Sequence, residues 1–211
     1  RVYDELSEHM FAELENDILF VGNPLTKLLK LRQLLYCPQM IDPSLGVGAA
    51  MQYVLDTLDE AEPEDRHVVI FCPFTSCLPL FKQTLLQSKL VTDCQILQGG
   101  LEPDELEARI RRFKATRGVI VCSIKYAESF ELETASSCFF IGQEYDQEEN
   151  EQAEDRLHRQ LIIKHIVNCY YLVHQDTFEE QVIENLIQRR TNVMTLLSDR
   201  QTMRKLLGYR K

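Results

Sequence analysis

The chain has 211 residues, 45% hydrophobic and 27% charged, which are globular values with room for one large domain or two small ones. No apolar run reaches membrane-spanning length and no signal-peptide pattern is visible, so no membrane span is expected. A formal net charge of −10 excludes a surface coated generally for nucleic acid, but residues 1–155 carry 13 basic and 28 acidic side chains while residues 156–211 carry 10 and 5, so any phosphate-binding surface is local and draws on the C-terminal quarter.

From Arg1 to about Leu58 the apolar spacing predicts helices. Leu25, Leu28, Leu29, Leu31, Leu34 and Leu35 form one stripe, with Pro24 near its start and Pro38 after its end. A further helix is expected from Gly48 to Leu58, and the charged stretch at 59–66 breaks the pattern. The character then changes. Residues 67–72 (HVVIFC), 92–97 (TDCQIL), 118–123 (GVIVCS), 137–142 (SCFFIG) and 166–173 (IVNCYYLV) read as five strands, several of them apolar enough to be buried on both faces. Helices are expected between them at about Thr75–Gln87 and 103–115, the second with Pro103 in its first turn. Helical patterning resumes from about Thr177 to Leu197, and a basic tail follows.

This alternation predicts an α/β fold, a parallel sheet with helices on both faces. Such sheets place functional loops at the carboxyl ends of their strands. Those loops are Pro73–Ser76, Gln98–Leu101, Ser123–Glu133, Gln143–Gln152 and His174–Thr177. The seven cysteines include no CxxC pair, and Cys72, Cys122, Cys138 and Cys169 sit in or beside apolar runs. Buried reduced thiols, no metal site and a reducing intracellular compartment, cytoplasm or nucleus, are the expectation.

A phosphate loop of the form GxxxxGK[ST] is absent from the sequence, so the chain does not hold ATP by itself in the usual way. It can still be half of a machine that does. At 151–160, "EQAEDRLHRQ" resembles motif VI of superfamily-two helicases, and most of all the Swi/Snf-type DNA translocases, through Gln152, Ala153, Arg156, His158 and Arg159. Residues 67–85 are similar to the motif IV region, with "FTS" after a strand; 97–114 to the block of a glycine turn and a helix; 118–142 to motif V; 177–190 to the helix after motif VI; and 28–40 to the helix before the lobe. Six stretches stand in the family's order and cover essentially the whole chain.

The resemblance implies the second RecA-like lobe of a two-lobe, ATP-dependent DNA helicase or translocase. The expected division is a helical lead-in at 1–60 packed on the lobe, the lobe at 61–190 and a basic tail at 191–211. The first residue is Arg1, not Met, and the chain is read as a piece of a longer protein whose N-terminal RecA-like lobe holds ATP and Mg²⁺. The fragment alone is expected to be inactive. Arg156 and Arg159 are implied to be arginine fingers toward that nucleotide, with Gln152 and Glu131 at nucleotide-facing positions. Thr75, Ser76, Gly99, Gly100, Ser123 and Lys125 are implied to hold the backbone of double-stranded DNA. From the residues alone, Arg156 and Arg159 could instead pair with Glu151, Glu154 and Asp155, Thr75 and Ser76 could cap a helix, and Gly99-Gly100 could be a plain turn. Motif V departs from the family: Ser129 stands for a usual glycine and Glu131 for a usual asparagine. Leu161-Ile162 replaces the Gly-Gln after the second arginine, and Tyr145 stands in for a usual tryptophan. A second reading is therefore a non-catalytic protein-interaction module that keeps the fold and binds a basic partner through its acidic face.

Overall fold

The computed structural model describes residues 1–15, 17–157, 167–180, 182–184 and 186–188. The N-terminal segment departs from the helical expectation. Helix α1 (Val2–Glu8) is followed by strands β1 (Phe11–Glu13) and β2 (Ile18–Phe20), which pair as an antiparallel hairpin with Phe11 opposite Phe20. Helical spacing covered Arg1–Leu58 as a whole in the sequence, and a hairpin of two three-residue strands is too short to stand out against it. Leu6, Ala12, Val21, Leu31 and Leu34 form a small core between the hairpin, α1 and α2. Helix α2 (Pro24–Tyr36) starts as its sequence suggests: the Asn23 side chain accepts from the Thr26 amide at 2.9 Å, and Pro24 occupies the first turn, where a missing N–H costs nothing. Two 3₁₀ turns at Pro38–Met40 and Pro43–Leu45 lead to α3 (Ala49–Glu60).

The main sheet is parallel throughout. Its strands are β3 (Val68–Cys72), β4 (Cys94–Leu97), β5 (Val119–Ser123), β6 (Ser137–Ile141) and β7 (Asn168–Leu172), in the order β4-β5-β3-β6-β7. All five match the strands expected from sequence. The central three are buried along their whole length apart from Ser137, and their side chains divide by the two-residue period of a strand. Val69, Phe71, Ile120, Cys122, Cys138 and Phe140 enter the core on one face. Val68, Ile70, Cys72, Val119, Val121, Phe139 and Ile141 enter the core on the other.

The first face is covered by α5 (Pro103–Thr116) and α6 (Gln147–Asp155), through Phe113 and Ala153 among others. The second is covered by α3 and by α4 (Leu78–Gln87), with the end of α2, through Met51, Val54, Leu58, Phe81 and Leu85. Helix α4 is shorter than expected, because Thr75–Cys77 is a separate 3₁₀ turn. The expected loop Gln143–Gln152 is also mostly helix, since α6 begins at Gln147. Residues 178–180, 182–184 and 186–188 are helical, and the rest of the expected C-terminal helix and the tail lie outside the described residues. All seven cysteines are free and all but Cys169 are buried, as small hydrophobes. No helix among the described residues is long and apolar enough to cross a membrane.

Candidate functional site

Parallel register brings the loops of the carboxyl edge together. Cys72 pairs with Ser123, Leu97 with Cys122, and Phe140 with Phe71, so the segments after β3, β4, β5 and β6 leave the sheet side by side. Thr75 and Ser76 are exposed there. Neither hydroxyl caps a helix: the 3₁₀ turn and α4 both begin without a side-chain cap bond. Gly99 and Gly100 form an exposed turn. Gly100 has φ +87°, a conformation that disfavours any side chain, and open space surrounds both positions apart from the Tyr126 ring beside Gly99. Backbone amides at such a turn can be approached closely by a ligand.

Ser123 and Lys125 differ. Ser123 is the last residue of β5 and is buried. Lys125 extends from the 3₁₀ segment Ile124–Ser129, with its ammonium 3.9 Å from Glu144 and 3.8 Å from Glu149. Those are long contacts for a side chain 60% exposed, weak enough to be exchanged for another anion. Glu144 is buried beside it, and burial pushes its carboxyl above the ordinary glutamate range against the pull of Lys125 and Arg32.

Helix α6 explains part of the acidic run. Asp146 is its N-cap, accepting from the Glu148 amide at 3.0 Å, and Glu148 and Glu149 lie in the first turn, where carboxylates complement the helix dipole. The signal was present in the sequence as Asp146 followed three residues later by Glu149, a capping-box spacing. Asn150, buried, locks the start of the helix: it accepts from the Glu144 amide at 3.0 Å and donates to the carbonyls of Glu144 and Asp146 at 2.9 and 3.0 Å. Sequence reasoning passed over this residue, which lacks the charge that draws attention to a site.

Arg156 closes α6. Its carbonyl accepts from the Leu132 amide at 2.8 Å, which joins motif VI to the end of motif V. Its side chain makes no ion pair with Glu151, Glu154 or Asp155 among the described residues, and its Nε is buried without a hydrogen-bond partner. Gln152 is half-buried on the same helix, and Glu131 is exposed beside Leu132. His158 and Arg159 lie outside the described residues. The groove between α6, β7 and the helical residues Ile183, Leu186 and Ile187 sets Glu151 and Glu154 among apolar side chains, a lining that does not suit a phosphate. There the Tyr171 hydroxyl donates to Glu154 at 2.8 Å.

The sequence profile of the helicase conserved C-terminal domain matches residues 49–160. The chain belongs to that family. Relatives of this helicase C-terminal domain include an uncharacterized ATP-dependent helicase of Mycoplasma pneumoniae, 26% identical over 84% of the chain. Another is the TATA-binding protein-associated factor mot1 of Aspergillus fumigatus, 25% identical over 94%. The chain spans only 17% and 10% of the lengths of those two proteins. Among solved structures, the Sulfolobus solfataricus SWI2/SNF2 ATPase core in complex with dsDNA has the same fold. It superimposes with a TM-score of 0.64 at 20% identity, covering 96% of this chain and 42% of that one. The helicase C-terminal lobe expected from the motifs is thus the family found, and its fold is that of a SWI2/SNF2 ATPase core.

Proposed function

We propose that this domain is the second motor lobe of an ATP-dependent DNA translocase or helicase. In this reading ATP and Mg²⁺ sit on a first RecA-like lobe elsewhere in the protein, and this chain supplies Arg156, with Arg159, to the γ-phosphate. A guanidinium stays protonated and planar, and it offsets charge that develops on phosphoryl oxygens during hydrolysis. The observation that carries the reading is Arg156 itself. It stands among carboxylates and pairs with none of them among the described residues, and a buried N–H left without a partner is costly unless something else meets it. The fit is chemical: the residue has donors to spare and the chain has no phosphate loop of its own.

Thr75, Ser76, the Gly99-Gly100 turn and Lys125 then face the DNA backbone, contacts that position a duplex without reading its sequence. Buried Ser123 supports that loop from beneath. One relative named as an ATP-dependent helicase and the fold shared with a DNA-bound ATPase core support this assignment.

The test is ATP hydrolysis by the full-length protein with and without duplex DNA. Arg156→Ala is expected to lower stimulated turnover by about 10³-fold or more with folding intact. Unchanged turnover removes the finger assignment. One observation favours the second reading, of an interaction module: Lys125 is already engaged by Glu144 and Glu149 within the acidic face. A full-length protein that shows no stimulated hydrolysis, and captures a basic protein partner that Glu149→Lys releases, decides for it.

A further inference from the structure

The most elaborate polar arrangement at the carboxyl edge is centred on a residue of the 28–40 stretch to which no role has been given above. Arg32, on α2, is only 8% exposed. Its guanidinium lies 4.5 Å from the ring centre of Tyr145, 5.2 Å from Phe74 and 5.5 Å from Tyr36. One terminal nitrogen donates to the Gln143 carbonyl at 2.8 Å, across 111 residues of sequence, and lies 3.9 Å from the Glu144 carboxylate. A guanidinium caged by three rings and held to a backbone carbonyl has little freedom to move. What it holds is the turn from β6 into α6. Asn150 clamps the same turn from the other side through both polar groups of the Glu144 backbone.

We propose that Arg32 is a positioning residue for the finger helix: acting through the Gln143–Glu144 turn and Asn150, it fixes α6 and so aims Arg156. The rigidity of a helix carries the effect over the distance involved. Arg156 is six residues beyond Asn150, about 9 Å along the axis at 1.5 Å per residue. The far end of the helix is held by the core packing of Ala153 and Leu157, by the Leu132 amide on the Arg156 carbonyl and by the Tyr171 hydroxyl on Glu154. Core packing resists separation from the sheet but permits small rotation, which a directional hydrogen-bond clamp at the other end forbids. The same cage reaches Phe74, next to Thr75, so one side chain ties the β3 loop to the β6 turn. The proposal rests on the motor reading above.

The experiment compares Arg32→Met, Arg32→Lys and Arg112→Met in the full-length protein. Arg112 also binds a buried carboxylate, Asp93, but at the amino edge of the sheet, and serves as the control. Two quantities are read: hydrogen exchange of peptides spanning residues 143–156, and kcat and KM for duplex-stimulated ATP hydrolysis. Arg32→Met is expected to speed exchange in 143–156 and to lower kcat about 10²-fold, with KM for ATP changed by less than about twofold. Arg32→Lys keeps the charge without the planar fork and is expected to recover part of kcat. Arg112→Met is expected to leave both quantities unchanged.

Unchanged exchange in 143–156, or a kcat loss no greater than that of Arg112→Met, overturns the proposal. If Arg32→Met fails to fold, Asn150→Ala breaks the clamp from its other end, and a retained kcat there overturns the proposal equally. A wild-type protein without stimulated hydrolysis sinks the motor reading instead. The exchange data then still decide whether Arg32 holds the turn.

Discussion

Gly142 shows how closely one atom is specified at the start of the site. It follows β6 with φ +78°, and a Cβ there would fall within the Tyr36 ring. Gly142→Ala combines backbone strain with overpacking and is expected to cost about 2–4 kcal/mol in urea unfolding. A second expectation at this scale concerns protons. Glu144 is held above the ordinary glutamate range by burial, whereas Asp42 is held below the aspartate range by the Ser44 amide and hydroxyl. The signs are opposite. A raised carboxyl favours the folded state most at low pH, and that contribution is lost as pH rises through its folded pKa. The depressed Asp42 contributes above its unfolded pKa and loses that contribution as pH falls. Carbon-13 titration of side-chain carboxyls should place Glu144 highest of the pair, and Glu144→Gln should remove its limb from the stability profile.

At the scale of elements, the two edges of the sheet do different work. The amino edge is stitched. His67 bridges the Gly118 carbonyl at 3.0 Å and the Thr134 hydroxyl at 2.9 Å, and stacks on Phe113. Asp93 accepts from Gln95, Arg112 and Thr116, joining the start of β4 to the end of α5. Gly118 packs against the Asp93 carbonyl so tightly that no side chain fits. Asp93→Ala leaves those donors unmatched and is expected to lower stability by about 1–3 kcal/mol, while kcat of the folded full-length protein stays as it was. The carboxyl edge carries exposed hydroxyls, a glycine turn and a weakly held lysine, groups with capacity to meet a ligand. Equal kcat losses from the two edges would erase this division.

For the whole molecule, the proposed motor reading raises the issue of how so acidic a chain would approach duplex DNA. The net charge of −10 opposes association, and only local cations can release counterions. Lys125→Ala in the full-length protein is expected to weaken duplex binding across sequences and to reduce the salt slope by about 1. An unchanged slope means that Lys125 stays with Glu144 and Glu149 when DNA binds.

The five strands, their parallel order and the helices α2 to α5 were legible because long apolar runs, proline starts and helical stripes are local signals. Two things were not. The β1–β2 hairpin is too short to interrupt a helical pattern. Asn150 matters through backbone partners, which leave no trace in residue type, and Arg32, although it lies in the family-like stretch at 28–40, matters through partners distant in sequence. The acidic run before Arg156 was legible as charge, though its role as N-cap and first turn of α6 was not drawn from it.

Order and chemistry of motifs determined the family, the parallel sheet and the residue types offered at its carboxyl edge, because periodicity and turn residues act over a few positions of chain. Tertiary structure alone decided which hydrophobes face which core, that Ser123 is buried while Lys125 is engaged, and that Arg156 pairs with no carboxylate among the described residues. Those outcomes depend on strand register and on a guanidinium reaching across 111 residues, and contacts of that range are set by packing in three dimensions.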